Sequence, residues 1–80
     1  MDDTDVIANI NALVEEEHAL ARELEGRSAT ADDKARLQKL EVALDQCWDL
    51  LRQRRARREF GEDPSTAQVR PADVVEQYRQ

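Results

Sequence analysis

One helical repeat, uninterrupted by glycine or proline over residues 31–60, constrains this chain more than any other feature. Its members recur every three or four residues: Leu37, Leu40, Leu44, Cys47, Leu51, Arg54 and Arg58. That spacing places one side chain per turn on a single helix face and excludes the alternation of a strand. Trp48 and Leu50 widen the stripe on its two flanks. We therefore expect a long helix over about residues 31–60, with Thr30 as its N-cap.

A second stripe precedes the first one. Its members, also spaced for a helix, are Val6, Ile10, Leu13, Leu20 and Leu24. Gly26 is suited to the left-handed conformation that ends a helix, and Thr4 or a neighbouring aspartate can cap the start, so we expect this helix over about residues 5–25. A short connection makes the two helices antiparallel. The fold class is therefore all-α, with a helical hairpin over residues 1–60.

The remaining residues, 61–80, read as a linker and a C-terminal arm. Residues 61–65 carry turn signals, and Arg70 before a proline favours an extended backbone. A short helix can begin at that proline. The residues expected to dock the arm are Val69, Pro71, Val74, Val75 and Tyr78. Three docking sites stay open: the chain's own bundle, a sister protomer and an external partner.

The width of the stripe on the long helix predicts that one copy is not enough. Antiparallel pairing places Ile10 near Cys47, but two helices cannot cover both Trp48 and Leu50, which lie on opposite flanks. Each large apolar side chain left in water forfeits roughly 1.5–3 kcal/mol. We therefore expect a homodimer that forms a four-helix bundle, with another protein or the arm as the alternative cover. The expected packing residues are Leu13, Glu17, Leu20, Leu44, Cys47, Trp48, Leu50 and Leu51.

Composition narrows the setting of the chain. It has 80 residues, which fits one domain. Its start is acidic and lacks the basic, apolar pattern of a signal peptide, and no apolar run is long enough for a membrane span. Cys47 is the only cysteine, so no intrachain disulfide is possible. We expect a small buried thiol, a cytoplasmic location and no membrane association.

Charge is strongly segregated along the sequence. Residues 1–51 hold five lysines and arginines against thirteen acids, whereas five arginines follow within seven residues: Arg52, Arg54, Arg55, Arg57 and Arg58. Three of them, at positions 54, 55 and 58, continue the stripe, so we expect inward salt bridges to the N-terminal aspartates, with Asp3 near Arg54. The other two, at positions 52 and 57, should point outward. Nucleic-acid binding by this cluster is the alternative, disfavoured by the net charge of -6 and the scarcity of stacking aromatics.

Two acidic features could carry chemistry. Glu17 lies at the centre of the first stripe, where it can be a partly exposed or paired structural residue or, as the sharper hypothesis, a functional carboxylate. Glu15 and His18 form a Glu-x-x-His pattern that, with Glu17 and Asp45, could bind a metal in a bundle. Glu15 and His18 point away from the stripe, which disfavours that site. We expect no cofactor and no enzymatic activity.

Several strings of the sequence resemble a known family. They are Leu44–Ala56 (LDQCWDLLRQRRA), Gly61–Pro64, Val69–Pro71, Val74–Tyr78 and Glu16–His18. Together they are similar to a group of short actinobacterial proteins catalogued as a domain of unknown function. The resemblance implies a small helical bacterial protein and brings no activity or ligand with it. It also implies that Gln46, Arg54, Arg55 and the Val-Arg-Pro segment are features of the type. The function we expect is that of a helical oligomerisation or adaptor module.

Overall fold

The structure is a computed structural model that describes residues 2–76, and within this range it contains helices and no strand. Helix α1 spans Asp3–Glu23 and helix α2 spans Ala31–Glu59. A 3₁₀ turn covers Pro64–Thr66, and a short helix, α3, covers Ala72–Glu76. The all-α fold class predicted from the sequence is confirmed. No helix in this part of the chain has the length and apolar content needed to cross a membrane.

Both long helices begin with a capping box. The Thr30 hydroxyl accepts a hydrogen bond from the Asp33 amide, and the Asp33 carboxylate accepts one from the Thr30 amide, so the predicted N-cap is confirmed. In α1 the same exchange joins Asp2 and Asp5. Helix α1 begins two residues before the predicted start, because the carboxylate of Asp2 and not the hydroxyl of Thr4 satisfies the free amides.

Helices α1 and α2 pack as an antiparallel hairpin. Ion pairs mark both ends of it: Arg54 Nε lies 2.6 Å from Asp3 Oδ1, and Arg36 Nη2 lies 3.4 Å from Glu23 Oε2. Between them the buried residues Val6, Ile10, Leu50 and Leu51 form the core cluster. Partly buried apolar side chains pack against it, namely Val14, Leu44, Cys47 and Ala67. The predicted proximity of Ile10 to Cys47 and of Asp3 to Arg54 follows from this register.

The C-terminal arm folds back onto α2 of its own chain. The 3₁₀ turn and α3 both contact α2, Ala67 packs against the core cluster, and Val75 is buried. Gly61, at φ 73°, occupies the left-handed conformation at the reversal after α2. Leu50 is only 6% exposed within the folded chain, in the cluster against which Ala67 of the arm packs. The expectation that a homodimer covers both flanks of the stripe is corrected for Leu50, because the folded chain buries it without a second copy. Tyr78 lies outside the described residues.

Candidate functional site

Two exposed apolar side chains lie on the same side of the hairpin. Ile7 is 45% exposed and Trp48 is 46% exposed. Ile7 is rotated by about 60° around α1 from Ile10, and Trp48 by about 100° around α2 from Cys47, in the same rotational sense. Because the helices are antiparallel and Ile10 faces Cys47, equal senses of rotation lead to the same side. Val14 and Leu44 lie along the inner edge of this surface.

We call this surface, formed by Ile7, Val14, Leu44 and Trp48, the Trp48 face. Ile7 and Trp48 stay exposed beside the part of the arm that the structure describes, residues 61–76. Leu50 is rotated by about 60° from Cys47 in the opposite sense to Trp48, so the arm and the Trp48 face lie on different sides of α2. The sequence placed Leu50 and Trp48 on opposite flanks, and within residues 2–76 the structure buries Leu50 and leaves Trp48 46% exposed.

A row of polar side chains on α2 holds the arm. The Asp49 carboxylate, 3% exposed, accepts hydrogen bonds from Arg70 Nε at 2.9 Å, from Arg70 Nη2, and from Gln53 Nε2 at 2.9 Å. Gln53 Nε2 also donates to the carbonyl of Gln68 at 2.9 Å, and Gln46 Nε2 donates to the carbonyl of Arg70 at 3.1 Å. We call the row formed by Gln46, Asp49 and Gln53 the arm groove. The Arg70 guanidinium holds the pKa of Asp49 below its usual range.

The arm groove was not identified as a site from the sequence. Gln46, Asp49 and Gln53 are spaced by three and four residues, so they share one helix face, but their composition resembles any solvated face. The docking residues also differ from expectation. Val69 is 59% exposed and Pro71 is exposed, whereas Arg70 between them binds α2. The physical reason is that side chains alternate sides in an extended segment. Farther along the arm, Val74 is partly buried and Val75 is buried.

Arg54 and Arg58 serve the fold. Arg54 is buried, and besides its ion pair with Asp3 its Nη1 donates to the Pro64 carbonyl at 3.2 Å. Arg58, expected to face inward, is exposed, although its Nη2 lies 2.7 Å from Asp3 Oδ2. These two guanidinium groups lower the pKa of Asp3 to about 2, with the Arg58 hydrogen bond the larger cause. Arg54 thus joins the start of α1, the end of α2 and the start of the arm.

Of the other three arginines in the cluster, two differ from their expected orientation and one agrees with it. Arg55, expected to face inward, is exposed, because it lies on the Trp48 side of α2, about 80° from Cys47. Arg57, expected to point outward, is partly buried, and its Nη1 lies 3.8 Å from Glu62 Oε2. Arg52 is exposed as expected, with Nη2 3.9 Å from Asp49 Oδ1. Within the arginine cluster, the charge open to a ligand is therefore carried mainly by Arg52 and Arg55.

The remaining predicted packing residues lie between the middle of α1 and its C-terminal end. Leu20 is buried, while Leu13 and Glu17 are partly buried. Arg27 Nη1 lies 2.8 Å from Asp33 Oδ2, and this contact holds the pKa of Asp33 well below its usual range. These interactions fasten the loop to the start of α2.

The residues considered for a metal site do not converge. Glu15 and His18 are exposed on α1, and Asp45 lies on α2. Within residues 2–76, no three His, Cys, Asp or Glu side chains form a group able to hold a metal ion. Cys47 is partly buried beside the core cluster, and this burial raises the pKa of its thiol.

Comparisons with known proteins match this chain to one family model and to three relatives. A family model described as a protein of unknown function (DUF2630) matches residues 2–80. An uncharacterized protein of Mycobacterium bovis and counterparts from two strains of Mycobacterium tuberculosis are each 51% identical to this chain over 77 residues. The matches cover 95% of this chain and 88% of each relative. No solved structure matches the chain.

Proposed function

Given that this chain belongs to the DUF2630 family of proteins of unknown function, we propose that it is a non-enzymatic interaction module that works as a homodimer. Two hairpins would pack over the Trp48 face and form a four-helix bundle. The observation that carries the proposal is the exposure of Ile7 and Trp48 on one side of a chain with a small core. A half-exposed aromatic side chain on an apolar surface is typical of a residue that anchors a protein interface. A cytoplasmic setting suits the single free thiol.

The charges around Trp48 favour a second copy as the occupant. Glu41 precedes Trp48 by seven residues and Arg55 follows it by seven. Seven residues are close to two helical turns, so all three lie on the same side of α2. In a twofold dimer with the axis near Trp48, α2 runs antiparallel to its copy, and each Glu41 faces the Arg55 of the other copy. Such a surface is self-complementary, as an isologous interface requires.

A charge-exchange experiment tests this arrangement. Sedimentation equilibrium should find a dimer for the wild-type chain, and Arg55→Glu and Glu41→Arg should each weaken dimerisation by about tenfold or more, since each places like charges opposite one another. The double variant Glu41→Arg, Arg55→Glu should restore it. Phe60→Ala is the matched control, because Phe60 is 81% exposed and lies after α2, away from the Trp48 face.

Two results would refute the dimer. One is a wild-type chain that stays monomeric at concentrations far above those in a cell. The other is a double variant that dimerises no better than the single variants, although circular dichroism shows the same helix content for all of them. Trp48→Ala gives an independent measurement, because it removes the proposed anchor and leaves both charges in place.

Binding to a polyanion is the second candidate, and the exposure of Arg52 and Arg55 favours it. If the chain binds a polyanion, the double variant Arg52→Ala, Arg55→Ala should be retained less on a heparin column than the wild-type chain. Retention of the wild-type chain should also fall as the salt concentration rises. Retention that is unchanged by both substitutions would exclude this function. The dimer remains our first proposal, because Arg54 and Arg58, which the same cluster contains, are bound to Asp3.

A further inference from the structure

We propose that the arm groove is a peptide-binding site for an extended segment with an arginine before a proline, presented by a partner protein. The chain's own residues 68–70 occupy it in the structure and show how such a ligand would bind. This inference goes beyond the dimer, since it concerns another side of α2 and other residues: Gln46, Asp49 and Gln53.

The groove recognises backbone at two points. The side-chain amides of Gln46 and Gln53 donate to the carbonyls of Arg70 and Gln68, respectively. These carbonyls are two residues apart, and alternate carbonyls of an extended chain point to the same side. Seven residues separate the two glutamines, so the helix presents both amides on one face. Contacts to backbone do not depend on the ligand's side chains, so the groove can accept other sequences at these positions.

Asp49 supplies the side-chain specificity. With the arm in place its carboxylate is almost fully buried and accepts two donors from the Arg70 guanidinium, a fork geometry that a lysine ammonium cannot reproduce. A carboxylate that becomes buried beneath a bound segment requires a cationic partner in that segment, which makes arginine the defining residue of the ligand. The neighbouring Val69 and Pro71 are exposed and add no specificity through burial. Proline nevertheless suits its place, because it keeps the preceding arginine extended.

The arm is placed so that a competitor could displace it. Arg70 remains 39% exposed, and the one buried apolar residue of the described arm is Val75, with Ala67 and Val74 partly buried. Segments with few buried apolar contacts open locally at low free-energy cost. The contact between Arg54 and the Pro64 carbonyl ties the start of the arm to α2 of its own chain, which limits its reach toward another copy. We therefore assign the groove to a partner's segment and not to a second copy's arm.

Peptide binding to the full chain tests the proposal. The probe is a fluorescent synthetic peptide with the sequence of residues 67–75, and the receptor is the Arg70→Ala chain, whose own arm lacks the guanidinium. Fluorescence anisotropy should show saturable binding that is tighter than binding to the wild-type chain, where the arm competes. A peptide with lysine in place of arginine should bind about tenfold more weakly or worse.

A second experiment, in which the charges of the groove and its ligand are exchanged, tests the proposal even if Arg70→Ala alone disturbs the fold. The chain with Asp49→Arg and Arg70→Asp should hold its own arm and ignore the arginine peptide. The chain with Asp49→Arg and Arg70→Ala should instead bind a peptide that carries aspartate in place of the arginine, because the charges of groove and ligand are exchanged together.

Two outcomes overturn the inference. One is a folded Arg70→Ala chain that shows no saturable binding of the arginine peptide. The other is peptide binding that stays unchanged when Asp49→Asn is added to that chain. Dimerisation measured on the same samples separates either outcome from failure of the proposed function.

Discussion

Replacing Leu50 by alanine should destabilise the folded chain by about 3 kcal/mol. Leu50 is 6% exposed and belongs to the core cluster with Val6, Ile10 and Leu51. Removing its terminal carbons forfeits about 2 kcal/mol of transfer free energy, at roughly 0.8 kcal/mol for each buried methylene-sized group. A remaining cavity adds about 1 kcal/mol, because two long helices fixed by ion pairs at both ends cannot close around it completely.

Thermal unfolding followed by circular dichroism measures this loss. In a domain of this size 1 kcal/mol shifts Tm by about 4–8 °C, so Leu50→Ala should melt about 12–24 °C below the wild-type chain. Phe60→Ala is again the control. Phe60 is 81% exposed, and its substitution should change the free energy of unfolding by less than about 0.5 kcal/mol.

Measurements of Tm at several protein concentrations test whether Leu50 is buried within one chain or between two copies. If Leu50 is buried within a single chain, the difference in Tm between Leu50→Ala and wild type should stay the same over about a twentyfold range of concentration. The reasoning would be refuted by a difference that grows strongly with concentration, because Leu50 would then be stabilising an interface between copies. It would also be refuted by a loss no larger than that of the Phe60 control.

The caps and the titratable groups give three further predictions. Asp3 has a folded pKa of about 2, below its ordinary 3.8, so its contribution to stability is full above pH 3.8 and is lost as the pH falls toward 2. The Tm of the wild-type chain should therefore drop between these two pH values. The Tm of the Asp3→Asn variant should drop less over the same interval. Thr30→Ala, which removes the cap of α2, should lower the free energy of unfolding by about 1 kcal/mol in urea titrations. Cys47 should react with a disulfide reagent more slowly in the folded chain than in urea, because burial raises the pKa of its thiol; equal rates would contradict this.

The two proposed surfaces lie on different sides of α2. One side carries Trp48 and is open to a second copy, while the side that faces the arm carries Asp49 and is occupied by Arg70. A dimer paired over the Trp48 face would leave both arm grooves outside the dimer interface. Dimerisation and peptide binding are therefore separable, and variants of one surface should leave the other intact.

Local patterns in the sequence are enough to predict the helices and the way in which they pair. Apolar periodicity, the Thr30 cap and the left-handed glycines act over a few residues, so their consequences can be read locally. The hairpin register also follows, because a short connection leaves little choice of partners, and Asp3 meets Arg54 as predicted.

Contacts between distant segments decide which flank of α2 the chain covers itself. Trp48 and Leu50 flank one stripe, and nothing in the local pattern distinguishes the flank that receives the arm from the one that stays open. The folded chain settles this choice through two contacts: Arg54 with the Pro64 carbonyl, and Arg70 with Asp49. The same contacts fix Arg70 toward α2 and leave Val69 in solvent, because an extended segment bound through one residue turns its neighbours away.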